Sequence, residues 1–77
     1  MLRAVHPVEW SDFCEDFAAG RCLINWNRGW QDVARRHGMP RWTWVAPKHW
    51  ATRQMLQDER FFHAIIDHGT DILYRAD

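Results

Sequence analysis

Residues 10–17 read Trp-Ser-Asp-Phe-Cys-Glu-Asp-Phe and carry the clearest structural pattern in the chain. Trp10, Phe13, Cys14 and Phe17 recur at i, i+3, i+4 and i+7, which places all four on one side of an α-helix. The pattern therefore predicts a helix whose apolar stripe packs against the rest of the molecule.

Prolines, glycines and one aspartate divide the remaining sequence into further helices. Pro7 is predicted to open the first helix, because proline at the first helical position leaves no N–H unpaired, and Gly20 is predicted to end it. Gly38 should end a second helix, and Pro47 should open a third that extends to about residue 57. The polar residues 57–60 then interrupt the apolar stripe, so either one long helix exposes them or, as fits better, Asp58 caps a new helix that ends near residue 69.

Three segments have no decisive pattern. Residues 22–24 are compatible with a short strand or a buried connection, and residues 70–74 with a last helical turn or a short strand. Residues 39–46 are compatible with helix, strand or loop. The fold class predicted for residues 1–77 is a single all-α domain of three to four short helices, which leaves room for one short extended segment.

Composition favours a binding protein over an enzyme. The chain has 77 residues, of which 47% are hydrophobic and 26% charged, as in a folded globular domain. A domain this small buries only about 60% of the surface of its unfolded chain, which leaves little apolar material to enclose a substrate.

Tryptophan is unusually abundant, with six in the chain. So small a core can hardly bury six indoles and give each N–H a partner. Trp10, Trp30 and Trp50 are expected in the core, and Trp42 and Trp44 at the surface. The formal net charge is zero, yet residues 31–54 contain five basic residues and one acidic residue.

No spacing of reactive residues supports a catalytic, metal or cofactor site. Cys14 and Cys22 are eight residues apart, whereas compact zinc sites use gaps of two to four. His63 with Glu59 has the i, i+4 spacing of an ordinary surface pair. The glycines stand singly, so no phosphate-binding loop is expected either.

The N-terminus has no apolar run typical of a signal peptide, and no apolar stretch is long enough to span a membrane. Two cysteines are too few for a secreted disulfide scaffold. We therefore expect a protein of the reducing cytoplasm that does not enter a membrane.

Residues 30–43 contain a small residue, a turn glycine, an apolar residue and a threonine in the order Ala34, Gly38, Met39, Thr43. This order resembles the core of a helix-turn-helix, and the resemblance implies a second helix in the major groove of duplex DNA. Two features depart from that family. Pro47 would end the recognition helix early, and bulky indoles at reading positions would block close approach to base edges.

The same segment, read as a protein contact surface, combines the two residue types most enriched at binding hot spots, Trp and Arg. We expect the chain to bind a larger protein or nucleoprotein complex, with duplex DNA as the alternative and a homodimer as one form that the sequence allows. In size it resembles the small inhibitors of phages and mobile elements, such as anti-CRISPR proteins. The predicted partner-binding residues are Arg35, Arg36, Arg41, Trp42, Trp44, Lys48 and Arg53.

Overall fold

The computed structural model describes residues 1–75, except for the side chain of Trp44. This part of the chain contains three strands and four α-helices, with a short 3-10 helix between the second and third α-helices. The elements are β1 (Leu2–Ala4), α1 (Trp10–Ala18), β2 (Cys22–Asn25), α2 (Trp30–Arg36), the 3-10 helix (Arg41–Val45), α3 (Pro47–Gln57), α4 (Glu59–Asp67) and β3 (Asp71–Arg75).

The three strands form one antiparallel sheet in the order β1-β3-β2. Leu73 lies at the middle of the sheet, between Ala4 of β1 and Leu23 of β2. The all-α prediction is therefore wrong, and the fold is α+β. Both segments that the sequence left open, residues 22–24 and 70–74, contribute strands.

The sequence pattern does not predict the sheet, because the strands are short and the paired residues are far apart in the sequence. A strand of three to five residues is too short to show a clear alternation of apolar and polar side chains. The β1 pairing joins Leu2 to Arg75, at opposite ends of the described chain. No local window of sequence contains both partners.

Strand pairing also explains why α1 begins later than predicted. The helix starts at Trp10, with Glu9 as its N-cap, and not at Pro7. The backbone N–H of Val5 donates to the carbonyl of Ile72, which continues the contact of β1 with β3 and keeps this part of the chain extended. The rest of the first helix is confirmed, and the backbone N–H of Gly20, in the left-handed region at φ 75°, closes the turn after it.

The other helix boundaries follow the sequence more closely. The second helix ends at Arg36, shortly before Gly38, and α3 begins at Pro47 as predicted. Asp58 caps α4, because its carboxylate accepts the backbone N–H groups of Arg60 and Phe61. Gly29, in the left-handed region at φ 90°, is the N-cap of α2.

The core lies between the helices and one face of the sheet, and α4 is at its centre. This helix packs against α1, α2 and α3 and buries Phe61, Phe62 and Ile65. The rings of Phe13 and Phe62 lie 4.9 Å apart and join α1 to α4. From the sheet, Cys22 and Ile72 point into this core.

Candidate interaction surface

The 3-10 helix presents two apolar side chains to solvent. Residues i and i+3 of a 3-10 helix eclipse one another, so Trp42 and Val45 lie on the same side of it. Each is 73% exposed. Thr43, between them, is buried, and its hydroxyl donates to the carbonyl of Pro40. The inward threonine fixes which side of the segment faces out.

Two prolines confine this helix to a single short segment. Pro40 has extended backbone angles (φ −67°, ψ 150°) and serves as the N-cap. Pro47 occupies the first turn of α3, where its missing N–H needs no partner. The segment between the prolines is too short for a full α-helix, and a 3-10 helix satisfies its backbone with i to i+3 bonds.

A groove of about 550 Å³ lies between Trp42 and the exposed side of α3. Ala51 and Met55 of α3 point into the core, so the groove is lined by the opposite side of that helix. We call this region the Trp42 surface, and it comprises Trp42, Val45, His49, Trp50, Arg53, Gln54 and Gln57.

A second groove, of about 650 Å³, lies on the other side of the 3-10 helix. Thr43 borders both grooves, which shows that the 3-10 helix is the ridge between them. We call this second region the Arg41 groove, and it is lined by Gln31, Arg35, Met39, Pro40, Arg41, Thr43 and Pro47.

Positive charge dominates both grooves and the surface beside them. Arg35 contacts Asp32 at 3.5 Å, but both side chains are largely exposed, so this pair is weak. Within residues 1–75, Arg36, Arg41, Lys48 and Arg53 form no ion pair with an acidic side chain. All four are exposed. The surface therefore offers several cations that no acid of the described chain neutralises.

The structure distributes the predicted residues over three places. Trp42 and Arg53 lie on the Trp42 surface, and Arg35 and Arg41 line the Arg41 groove. Arg36 borders a shallower depression between α2 and α4. Lys48 is exposed at the start of α3 but lines neither groove, and the predicted side-chain contact of Trp44 lies outside what the structure describes.

Sequence reasoning missed several residues of the Trp42 surface. Val45 is three residues after Trp42, a spacing that indicates one face only if the segment is known to be a 3-10 helix. His49, Gln54 and Gln57 share the exposed side of α3, which the burial of Ala51 and Met55 identifies. The expected exposure of Trp42 is confirmed.

The cysteines are poorly suited to nucleophilic chemistry. Cys22 is buried, and burial raises the pKa of its thiol. Burial also raises the pKa of the Cys14 thiol. A raised pKa keeps a thiol protonated near neutral pH, whereas a nucleophilic cysteine needs the thiolate.

Residues 1–75 contain no group of three or more histidine, cysteine, aspartate or glutamate side chains placed to hold a metal ion. His63 contacts Glu59 at 3.2 Å, as the i, i+4 spacing predicted. Among the described helices, none has the length and apolar character needed to cross a bilayer.

Comparison of the chain with protein-family models, with curated proteins and with solved structures found no match. Its function is therefore inferred from the geometry and charge of its own residues.

Proposed function

We propose that this chain is a small non-catalytic binding protein that occupies the surface of a larger macromolecular partner through the Trp42 surface. The observation that carries the proposal is the pair Trp42 and Val45, each 73% exposed on one side of the 3-10 helix. Trp10, Trp30 and Trp50, by contrast, pack in or against the core.

An exposed indole can contribute a large binding free energy when a partner buries it. A tryptophan buries about 150–250 Å² when fully covered, which corresponds to about 4–6 kcal/mol of transfer free energy before the costs of association. Because Trp42 is mostly exposed, folding of the chain gains little of this transfer free energy. A partner with an apolar pocket would supply the missing burial.

The charge around the indole defines the rest of the partner. Arg53 lies on the Trp42 surface and Arg41 lines the neighbouring groove, and neither is neutralised by an acid within the described residues. Acidic groups are their natural complement. The partner is therefore a protein, alone or in a nucleoprotein complex, that presents an apolar pocket rimmed by carboxylates.

Local geometry favours this reading over the helix-turn-helix alternative. A recognition helix would have to start near Arg41, where the described chain has a five-residue 3-10 helix. Thr43, the residue expected at the head of a recognition helix, is turned inward. An indole at the reading position would also hold the backbone away from base edges.

A protein of this kind is an inhibitor or adaptor, of the general type that phages and mobile elements encode and of which anti-CRISPR proteins are an example. Its compartment is the reducing cytoplasm, in keeping with two cysteines that are both free thiols.

The test is a tagged pull-down from a host lysate, with and without nuclease, followed by affinity measurement with the purified partner. We expect Trp42→Ala to weaken binding by about 2 kcal/mol or more, which is about 30-fold in Kd, because hot-spot indoles carry costs of that size. Arg53→Ala should weaken binding less and mainly at low salt.

Two control variants match these changes in type but lie away from the surface. Val5→Ala shortens a partly exposed apolar side chain, and Arg60→Ala removes an exposed arginine of α4. Both should bind as the parent does. Unchanged affinity in Trp42→Ala contradicts the proposal. Loss of binding after nuclease, with a salt slope of about 0.9 per phosphate contact, would instead indicate nucleic acid.

A further inference from the structure

The sheet has a second face that no part of the described chain covers. Side chains alternate along a strand, so while Cys22 and Ile72 point into the core, their neighbours point away from it. The outward apolar residues include Leu2 and Leu23, which are 44% and 46% exposed. Leu73 is between them on the central strand and is partly buried by its neighbours.

The two charged residues that β3 contributes to this face lie symmetrically about Leu73. The register places Ala4, Leu73 and Leu23 in one row across the three strands. Asp71 and Arg75 lie two residues before and two residues after Leu73, on the same face and at opposite ends of β3. Neither forms an ion pair within residues 1–75.

We propose that this face binds a second copy of the chain, face to face, about a twofold axis that runs along the row of Ala4, Leu73 and Leu23. Such an axis reverses the strands of the second copy. Each leucine of the row then meets its own counterpart, and Arg75 of each copy meets Asp71 of the other.

The spacing of the charges fits this arrangement. At about 3.4 Å per residue, Asp71 and Arg75 are about 14 Å apart with Leu73 midway, so a twofold axis at Leu73 exchanges their positions. Two packed sheets lie about 10 Å apart, a gap that an arginine and an aspartate side chain span together. An axis parallel to the strands would instead oppose like charges, Arg75 to Arg75 and Asp71 to Asp71.

The occupant is a second copy because, about this axis, the row of Ala4, Leu73 and Leu23 meets its own counterpart and the two charges of β3 meet opposite charges. A three-stranded face of this length covers only a few hundred Å², below the roughly 800 Å² per partner of a stable complex. The dimer is therefore weak and forms at high protein concentration. The sheet packs against α1, whereas the 3-10 helix packs against α3, so the dimer face and the Trp42 surface are separate regions.

The first test is sedimentation equilibrium of the full chain at concentrations up to about 1 mM, the weak end of measurable affinity. We expect the average mass to rise with concentration towards that of a dimer. Leu23→Lys should keep the protein monomeric throughout, because it places two ammonium groups against each other at the axis. Val45→Lys, an equally severe change at an exposed residue of the Trp42 surface, should dimerise as the parent does.

A charge exchange tests the orientation of the axis. Asp71→Arg and Arg75→Asp each place like charges opposite one another and should weaken the dimer at least tenfold. The double variant restores opposite charges across the interface and should recover most of the parental affinity. Far-UV circular dichroism of every variant checks that the sheet remains folded.

Three results would overturn the proposal: a parent chain that is monomeric up to the highest concentration, a Leu23→Lys variant that dimerises as the parent does, or a double charge variant no better than the single ones. A parent chain that stays monomeric would indicate that this face binds a different protein. None of these results affects the proposed function, since loss of dimerisation in Leu23→Lys should leave partner binding through Trp42 unchanged.

Discussion

The tryptophans illustrate how individual residues divide between the core and the surface. Trp30 is buried, and its ring lies 4.5 Å from that of Trp26 at an interplanar angle of 42°. The indole N–H of Trp10 donates to the carbonyl of Met55 at 2.8 Å, so this ring packs against the core with its polar atom satisfied. Trp42 lies on a segment whose inward position is taken by Thr43, and it remains exposed.

A second arrangement at the residue level connects α1 to the sheet through Asp16. The hydroxyl of Tyr74 donates to one carboxylate oxygen at 2.8 Å, and Nε of Arg21 donates to the other at 2.9 Å. The hydrogen bond from Tyr74, together with that from Arg21, lowers the pKa of Asp16. Desolvation and the hydrogen bond to Asp16 raise the pKa of Tyr74.

This arrangement predicts an acid-dependent loss of stability. Because the folded-state pKa of Asp16 is below its ordinary value of 3.8, its contribution to stability is complete above that pH and is lost as pH falls through the lowered pKa. Tyr74→Phe removes the main cause and should raise the pKa of Asp16 towards 3.8. Thermal unfolding between pH 2 and 6, with an NMR titration of the Asp16 carboxyl carbon, measures both effects.

Asp16→Asn is the control for that experiment, because it removes the titrating group and should flatten the acid side of the stability profile. An Asp16 pKa that is the same in the parent and in Tyr74→Phe would contradict the assignment of the hydroxyl as the main cause.

Among the elements, α4 shows how a single side chain sets a boundary. Gln57 ends α3, Asp58 has extended backbone angles, and α4 begins at Glu59. The Asp58 carboxylate accepts the N–H groups of Arg60 at 3.0 Å and Phe61 at 3.3 Å. Two donors that α4 cannot satisfy internally are thereby paired, and the negative charge lies at the positive end of the helix dipole.

Asp58→Ala should therefore destabilise the fold by about 1 kcal/mol, within the range for the loss of an N-cap. For a domain of this size that corresponds to a fall in Tm of about 4–8 °C. Asp58→Asn keeps an oxygen acceptor and should lose much less. Equal losses in the two variants would show that the charge, and not the cap hydrogen bonds, supports α4.

The 3-10 helix is the element on which the candidate site depends. Its neighbours α2 and α3 were predicted from Gly38 and Pro47, which mark the end of one helix and the start of the other, but residues 39–46 contain both helix-favouring and strand-favouring features. In the folded chain this segment turns tightly between Pro40 and Pro47, and Thr43 is buried on its inner side.

At the level of the whole molecule, stability depends on a core built around α4. Phe62 is fully buried and its ring lies 4.9 Å from that of Phe13. Buried aromatic side chains cost about 3–5 kcal/mol when truncated to alanine, whereas a domain of this size has a total stability of about 4–12 kcal/mol.

Phe62→Ala should consequently remove a large part of the folding free energy and lower Tm by at least about 15 °C, as measured by calorimetry. Val45→Ala also shortens an apolar side chain, but one that is 73% exposed, and should stay within about 0.5 kcal/mol of the parent. A large loss of stability in Val45→Ala would mean that this side chain stabilises the fold, which would contradict its assignment to a partner-binding surface.

Sequence alone determined the features that depend on near neighbours. Helical hydrogen bonds join residues four apart, so the stripe of Phe13 and Phe17, the start of α3 at Pro47 and the cap at Asp58 were all readable from short windows. The surplus of indoles over core space likewise indicated that Trp42 is exposed.

Tertiary structure alone decided the sheet and the grooves, because both join residues that are distant in sequence. The pairing of Leu2 with Arg75 and of Leu23 with Leu73 turned a predicted helical domain into an α+β fold. The Trp42 surface and the Arg41 groove likewise exist only where α2, the 3-10 helix and α3 meet. Such contacts depend on how chain segments pack in space, which no local periodicity records.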